Sequence, residues 1–353
     1  MKYNSGIKTI EWIFNENVSR MIDQKVIPHE FKFVDVKTCD EMFFAIKDMI
    51  VRGAPAIGIA GAHGALLAAL EIQKQTSDFN KFISLLKEKM AYLKSSRPTA
   101  VNLMWAVDKQ MDVANSCKSI EETIEKLTKN AVKMENDDIE INKKIGDNGA
   151  KLVPKKGATI LTHCNAGALA TVGYGTALGV IRSIYKQDPT IKVFADETRP
   201  RQQGARLTTF ELVADGIDTT LITDGMCSYF MEKGMIDMVV TGADRIAANG
   251  DSANKIGTYT VAIAAKYHNV PFYIAAPIST IDPKIKSGKE IKIEERSHDE
   301  VTTINGEMVC ADGVNIINPG FDVTPNELIT GIITENGVYL NNGKGFDFSE
   351  LKN

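Results

Sequence analysis

From residue 158 onward, five short apolar runs at 158–162, 191–195, 219–222, 238–240 and 272–275 alternate with stretches of helical spacing. Strands that must each be followed by a helix before the next strand cannot form an antiparallel meander. The pattern predicts an α/β fold, a parallel sheet with helices on both faces. In such sheets ligands sit beyond the carboxyl ends of the strands, so the residues that follow each run are the first to inspect.

Bulk properties narrow the classes further. A chain of 353 residues is long enough for two domains, each with a core. Its formal charge of −4 argues against nucleic acid or an anionic membrane as partner, so an anionic ligand has to be held by a local cluster of donors. The five cysteines, Cys39, Cys117, Cys164, Cys227 and Cys310, form no C-x-x-C pair, and the histidines form no H-x-x-x-H or H-x-E pattern. This scatter predicts reduced thiols in a cytosolic protein and no metal centre. The first residues, Met1 to Gly6, carry no apolar signal core. The stretch 57–70 is apolar but broken by Gly58, Gly61, His63 and Gly64. It reads as a buried helix packed closely on a neighbour, too short and too glycine-rich to span a membrane.

Before residue 151 the pattern is mixed. Strands are expected at 7–13 and 31–36, and a helix at 39–49. The turn Arg52-Gly53-Ala54-Pro55 follows, then the buried helix, a polar helix at 79–93 and a loop from Ser95 to Thr99. Ser119 and Glu122 have capping-box spacing. Ile124, Leu127, Ala131, Met134, Ile141 and Ile145 then recur at helical intervals, as a core stripe or a spine between domains. Pro154 and Gly157 mark a boundary, giving an α+β domain over 1–150 and an α/β domain over 151–353.

At the strand ends three segments carry chemistry. Cys164 follows the first run, ahead of a small-residue turn and an expected helix whose N–H groups can hold an anion or lower a thiol pKa. His163 precedes it, but adjacent strand residues point to opposite faces, so it need not touch the thiol. Gly173-Tyr174-Gly175 with Gly179 is only a faint dinucleotide fingerprint, better explained by helix packing. The segment 196–208 holds Arg199, Arg201, Arg206, Gln202 and Gln203, planar donors suited to phosphate and sugar hydroxyls. Asp244 follows the fourth run. Half buried, its carboxyl can stay protonated and act as a general acid; the plainer readings are a helix N-cap or a partner for Arg245. Asn254 and Lys255, expected to begin the next helix, offer an amide and an ammonium for an anion.

These segments, with others, resemble the methylthioribose-1-phosphate isomerase family. The blocks include Asp23-Gln24-Lys25-Val26-Ile27-Pro28, Arg52-Gly53-Ala54-Pro55-Ala56-Ile57-Gly58, Arg97-Pro98-Thr99-Ala100-Val101-Asn102-Leu103 and His163-Cys164-Asn165-Ala166-Gly167. Further along come Glu197-Thr198-Arg199-Pro200, Gln203-Gly204-Ala205-Arg206-Leu207-Thr208, Gly242-Ala243-Asp244-Arg245, Asn254-Lys255-Ile256-Gly257 and Phe321-Asp322-Val323-Thr324-Pro325. Gln202 and Gly320 depart from the family's usual residues. The resemblance implies a small N-terminal domain, a Rossmann-like C-terminal domain without a nucleotide, a homodimer, no cofactor, and an active site between the domains. It implies Asp244 as proton donor and Cys164 as the thiol that assists the transition state. It also implies Arg52, Gly53, Ala54, Arg97, Gln203, Asn254 and Lys255 as substrate-binding positions.

The implied substrate explains the choice of groups. An aldose 1-phosphate is locked as a cyclic acetal, so an acid is needed at the ring oxygen before hydrogen can move from C2 to C1. A dry site protects the opened intermediate, and Ala54-Pro55-Ala56-Ile57 suits that need. The closest alternative, a 5-deoxyribose 1-phosphate isomerase, would use the same pair; a ribose 1,5-bisphosphate isomerase would need a second phosphate site, for which the sequence offers no segment. The related regulatory subunits of initiation factor 2B are binding proteins without this chemistry.

Overall fold

The structure, a computed structural model, describes residues 3, 4, 6–98, 100–304, 306–343, 345, 346 and 348. Met1, Lys2 and Ser5 of the N-terminal stretch, and Thr99 of the 95–99 loop, lie outside the described residues. The chain divides into two compact units, residues 1–142 with 167–175, and residues 143–166 with 176–353.

The first unit opens with an antiparallel sheet in the order β1 (Ile10–Ile13), β2 (Val18–Ile22), β3 (Phe33–Val36). Four helices follow: α1 (Cys39–Lys47), α2 (Ala54–Ile72), α3 (Phe79–Lys94) and α4 (Val101–Asn115). The long α5 (Ile120–Ala150) contributes its residues up to Asn142. Thr38 caps α1 and Asp78 caps α3, each accepting a backbone N–H two or three residues into the helix. Before α5, Ser119 Oγ accepts from Glu122 N at 3.2 Å, while the Glu122 carboxylate takes the N–H of Lys118 rather than that of Ser119.

Helix α2 is the core of this unit, with fifteen of its nineteen residues buried. It has the length and composition of a membrane span, contrary to the expectation from its shorter apolar core, yet it is sheathed by α1, α3 and α4. Its glycines allow that sheath to close. A Cβ on Gly61 would lie 2.7 Å from Leu103 Cδ1, and one on Gly64 would lie 2.6 Å from Leu93 Cδ2. Leu127, Ala131 and Met134 of α5 complete the same core, so the stripe seen in the sequence is a packing face.

The second unit carries a seven-stranded sheet, and its members come from distant parts of the chain. In sequence order they are β4 (Thr159–Thr162), β5 (Lys192–Asp196), β6 (Asp218–Ile222), β7 (Met238–Thr241), β10 (Phe272–Ala275), β15 (Gly331–Thr334) and β16 (Gly337–Leu340). In space the order is β16-β15-β10-β7-β4-β5-β6, parallel throughout except for β16. The five apolar runs are therefore β4, β5, β6, β7 and β10, as the alternation required. Helices α6 (Ala177–Gln187), α7 (Thr209–Ala214), α8 (Cys227–Glu232) and α9 (Thr258–Tyr267) link and cover these strands.

A second sheet was not expected. It pairs β8 (Arg245–Ala247), β9 (Ser252–Lys255), β11 (Ile281–Asp282) and β14 (Phe321–Thr324) in the order β11-β8-β9-β14. Asn254 and Lys255 thus lie on a strand, and the helix expected to start with them begins at Thr258. A short helix α10 (Asp299–Thr302) and the hairpin β12 (Thr303–Ile304) and β13 (Glu307–Met308) complete the unit.

Candidate active site

The chain runs β4, β5, β6 toward one edge of the large sheet, then crosses back to place β7 on the other side of β4. The strand order reverses between β4 and β7, the point at which open α/β sheets leave a crevice for ligands. Cys164 lies two residues beyond β4, and Asp244 three residues beyond β7. The strands are paired in parallel with Leu161 opposite Val239, so both loops emerge at the same end. They touch there, since a Cβ on Gly242 would lie 2.6 Å from that of Ala166.

The loop after β4 is held by its neighbours. Cys164 has a left-handed backbone, φ 64°, and its N–H donates to Thr198 Oγ1 at 2.8 Å. Its carbonyl accepts from Thr208 Oγ1 at 2.6 Å, and Thr208 in turn accepts from Asn165 Nδ2 at 3.1 Å. Asn165 also donates to Glu211 at 2.9 Å, and Glu211 is paired with the buried Arg182 at 2.9 Å. No α-helix starts at Cys164. A short 3₁₀ turn, Ala168–Ala170, follows and α6 begins only at Ala177, so the expected activation of the thiol by a helix N-terminus does not apply. Gly173 and Gly175 sit in the intervening loop with Tyr174 at φ 70°, not in a packed helix.

The arginine-rich segment is more ordered than a solvated loop. Gly204–Thr208 forms a π-helical turn running into α7. Gly204 packs so closely that a Cβ would stand 1.7 Å from the Asp196 carbonyl oxygen. This contact seats the neighbouring Gln203, which is buried, with its Oε1 meeting no hydrogen-bond donor among the described residues. Burial, and then the charge of Arg201, lower the pKa of Arg206. Arg201 itself is paired with Glu300 at 3.1 Å.

At the other flank Asp244 is half buried, and its N–H donates to the Ala253 carbonyl at 2.9 Å, next to Asn254. Both plainer readings of Asp244 fail: it precedes a strand rather than a helix, and Arg245 is taken by Asp282 at 3.1 Å. Asn254 is buried and donates to Thr258 Oγ1 at 3.0 Å. Lys255 is buried too, donating to the Gly320 carbonyl at 3.0 Å with its ammonium 4.3 Å from the centre of the Phe321 ring. Thus Cys164, Gln203, Asp244, Asn254 and Lys255 all lie in the second unit, on its strand-end loops or on β9.

The remaining expected positions lie in the first unit. Arg52 is buried and donates through Nε to Gln24 Oε1 at 3.0 Å, and Gln24 Nε2 donates to the Leu169 carbonyl at 2.8 Å. Gly53 caps α2 at φ 94°, and a Cβ there would meet Ala170 at 2.5 Å. Ala54 is the first residue of α2, and Arg97 sits half buried between α3 and α4.

Sequence reasoning passed over Thr198, Glu211 and the pair His163–Asp196. Each acts through a partner more than thirty residues away, which no local pattern signals.

The second unit is a Rossmann-like parallel sheet with a thiol and a carboxyl just beyond the two strands that flank its switch point, the place where α/β enzymes bind small molecules. Residues 50–340 match the Initiation factor 2 subunit family. The chain is 53% identical over 330 residues to methylthioribose-1-phosphate isomerase 1 of Pseudothermotoga lettingae, covering 94% of each protein. It is 54% identical over 331 residues to the methylthioribose-1-phosphate isomerase of Thermotoga maritima, again covering 94% of each. Among solved structures, the 5-methylthioribose 1-phosphate isomerase of Pyrococcus horikoshii superposes with a TM-score of 0.87 at 41% identity, over 96% of this chain and 95% of that one. A protein from A. fulgidus described as the delta subunit of translation initiation factor eIF-2B superposes with a TM-score of 0.84 at 43% identity, over 95% and 96%. The chain belongs to the methylthioribose-1-phosphate isomerase family, within the wider Initiation factor 2 subunit family.

Proposed function

We propose that the chain is an intramolecular oxidoreductase that converts 5-methylthioribose 1-phosphate to 5-methylthioribulose 1-phosphate, a step of methionine salvage. What carries this reading is the 53–54% identity to methylthioribose-1-phosphate isomerases over nearly the full chain, together with Cys164 and Asp244 just beyond the strands that flank the switch point.

In this reading Asp244 gives its proton to the ring oxygen as the bond from that oxygen to C1 breaks. The hydrogen on C2 then moves to C1, and the C2 hydroxyl becomes the carbonyl as its proton passes to the Asp244 carboxylate left by the first step, which restores the acid. Cys164 serves this second stage, either taking the C2 proton and returning it to C1, or stabilising the charge while a hydride shifts. Gln203, Asn254 and Lys255 bind the sugar phosphate, and its hydroxyls supply the donor that Gln203 Oε1 lacks. Arg52, Gly53, Ala54 and Arg97 are substrate-binding positions on the strength of the family match. The protein works as a cytoplasmic homodimer, and a sedimentation mass of one chain would contradict the dimer.

The test is aldose-to-ketose conversion by purified protein, followed by NMR with the methylthio, 5-deoxy and 1,5-bisphosphate sugars in parallel. The methylthio sugar is expected to turn over fastest. Asp244→Asn is expected to lose about 10²-fold or more in turnover. Near-normal turnover in that variant rejects the acid, and full activity in Cys164→Ser rejects the thiol. The likeness to the A. fulgidus protein keeps a non-catalytic binding role as the rival, and absence of conversion with all three sugars would favour it.

A further inference from the structure

His163 is fully buried beside Cys164, and the site chemistry leaves it without a task. The β4–β5 register pairs Thr162 with Ala195, which puts His163 opposite Asp196. Nδ1 lies 3.0 Å from Asp196 Oδ2, and Nε2 lies 2.9 Å from the Ile256 carbonyl oxygen. A carbonyl only accepts, so Nε2 carries a hydrogen; opposite an ionised Asp196, which also only accepts, Nδ1 carries one as well. The ring is wedged in place, since a Cβ on Gly257 would stand 2.8 Å from its Cε1.

The charged groups acting on the ring come from several elements. Asp196 ends β5, Asp224 follows β6, and Asp322 lies on β14. Asp224 is fixed by the N–H groups of Thr198 and Arg199, each at 2.7 Å, and Asp322 by those of Gly257 at 2.7 Å and Tyr259 at 3.1 Å. Burial opposes a charge on the ring, but the Asp196 bond and charge, Asp224 and the Ile256 carbonyl together raise its pKa. Burial raises Asp196 as well, so the two titrate as one unit. The charges of Asp196 and Asp224 and the Ile256 carbonyl favour the arrangement with the shared proton on the ring.

We propose that His163 is a positioning residue for the Cys164 loop, a buried imidazolium that ties the end of β4 to the end of β5 and to the Ile256 carbonyl just beyond Lys255. The proposal rests on the isomerase reading above. His163 does not act on the sugar. It fixes the backbone from which Cys164 takes its left-handed turn, and loss of the ring proton breaks one of the two ties.

The experiment uses a Cys310→Ser background, so that the half-exposed Cys310 does not compete for reagent. Alkylation of Cys164 by iodoacetamide is followed by mass spectrometry from about pH 6 to 10 in that parent, His163→Gln and Asp196→Asn. Turnover, KM, circular dichroism and imidazole N–H NMR signals are measured beside it. The parent is expected to show two exchange-protected N–H signals from His163. Folded His163→Gln is expected to lose about 10²-fold in kcat with KM little changed, the cost of a misplaced reacting group. Asp196→Asn keeps an acceptor for Nδ1 but removes the charge. The ring then loses its proton more easily, and the alkaline limbs of kcat and of alkylation move down by about one pH unit. A folded His163→Gln within about 2-fold of the parent's kcat, a single N–H signal, or unmoved limbs in Asp196→Asn would overturn the proposal. If no sugar phosphate turns over, the isomerase reading fails, while the N–H signals and the alkylation profile still judge His163.

Discussion

The backbone N–H of Cys164 donates to the hydroxyl oxygen of Thr198 at 2.8 Å, and the two residues share one left-handed conformation, φ 64° at each. For a β-branched residue such as Thr198 that conformation is a steric outlier. Strain of this kind persists where the surroundings over-determine it, and it concentrates at active sites. The same hydroxyl donates to the Asp196 carbonyl at 3.0 Å, so one side chain spans the ends of β4 and β5.

Thr198→Val keeps the shape and removes both hydrogen bonds. The buried Cys164 N–H then has no acceptor, at a cost of about 1–3 kcal/mol. Thermal unfolding is expected to show that loss, with reduced turnover, while Thr198→Ser stays closer to wild type. Equal stability of the Val and Ser variants would show that the hydroxyl contributes nothing.

Gly204→Ala is expected to be among the most harmful single changes outside the reacting groups. Its Cβ would sit 1.7 Å from the Asp196 carbonyl oxygen, a backbone atom that cannot step aside without moving the end of β5. Overpacking usually costs about 1–3 kcal/mol, and this contact belongs at or above the top of that range. A urea midpoint equal to wild type would contradict the geometry.

Asp138, on α5, is half buried and accepts the N–H of Val172 at 2.7 Å. Burial pushes its pKa from 3.8 to about 7, against the pull of that N–H. Between about pH 4 and pH 7 the folded state therefore keeps a proton that the unfolded chain has released, and stability falls as pH rises through this window. Asp138→Asn keeps an acceptor oxygen and removes the titration. It is expected to be more stable than wild type at pH 8, by about 4 kcal/mol at most, with the advantage shrinking toward pH 4. Melting curves that run parallel across this range would refute the assignment.

Arg182, with Glu211 at 2.9 Å and Asp215 at 2.7 Å, forms a buried ion network that reaches the Cys164 loop through Asn165. Arg182→Leu takes the cation away from the buried Glu211 and from Asp215, an expected loss of about 3–5 kcal/mol. Adding Glu211→Leu is expected to restore much of that stability without restoring turnover, because Asn165 loses its bond to Glu211 and keeps the one to Thr208. A double variant as unstable as the single one would exclude this account of the network.

What could be read in the sequence, and what could not, follows from where burial is written. The runs that became β4, β5, β7 and β10 are apolar because both sheet faces are covered, so they stand out in the chain. β9 is equally buried but reads Ser-Ala-Asn-Lys, with polar groups satisfied by distant partners such as Gly320 and Thr258. It was therefore mistaken for a loop and a helix start. The strand-end rule needs only the order of elements, so it points to Cys164 and Asp244 from the sequence alone. The His163–Asp196 tie needed the β4–β5 register, which nothing within either strand announces. Segment 167–175 belongs to the first unit although it interrupts the second in sequence, and no change of composition marks either crossing.

The glycine-lined helix α2 has a consequence for how the chain fails. The seventeen residues from Ala54 to Leu70, without a charge until Glu71, are kept from water by neighbours that fit against bare backbone at Gly61 and Gly64. When that fit is lost on heating or in denaturant, the first unit releases a single long sticky segment. Irreversible clumping on denaturation should therefore begin in the first unit rather than in the seven-stranded sheet of the second.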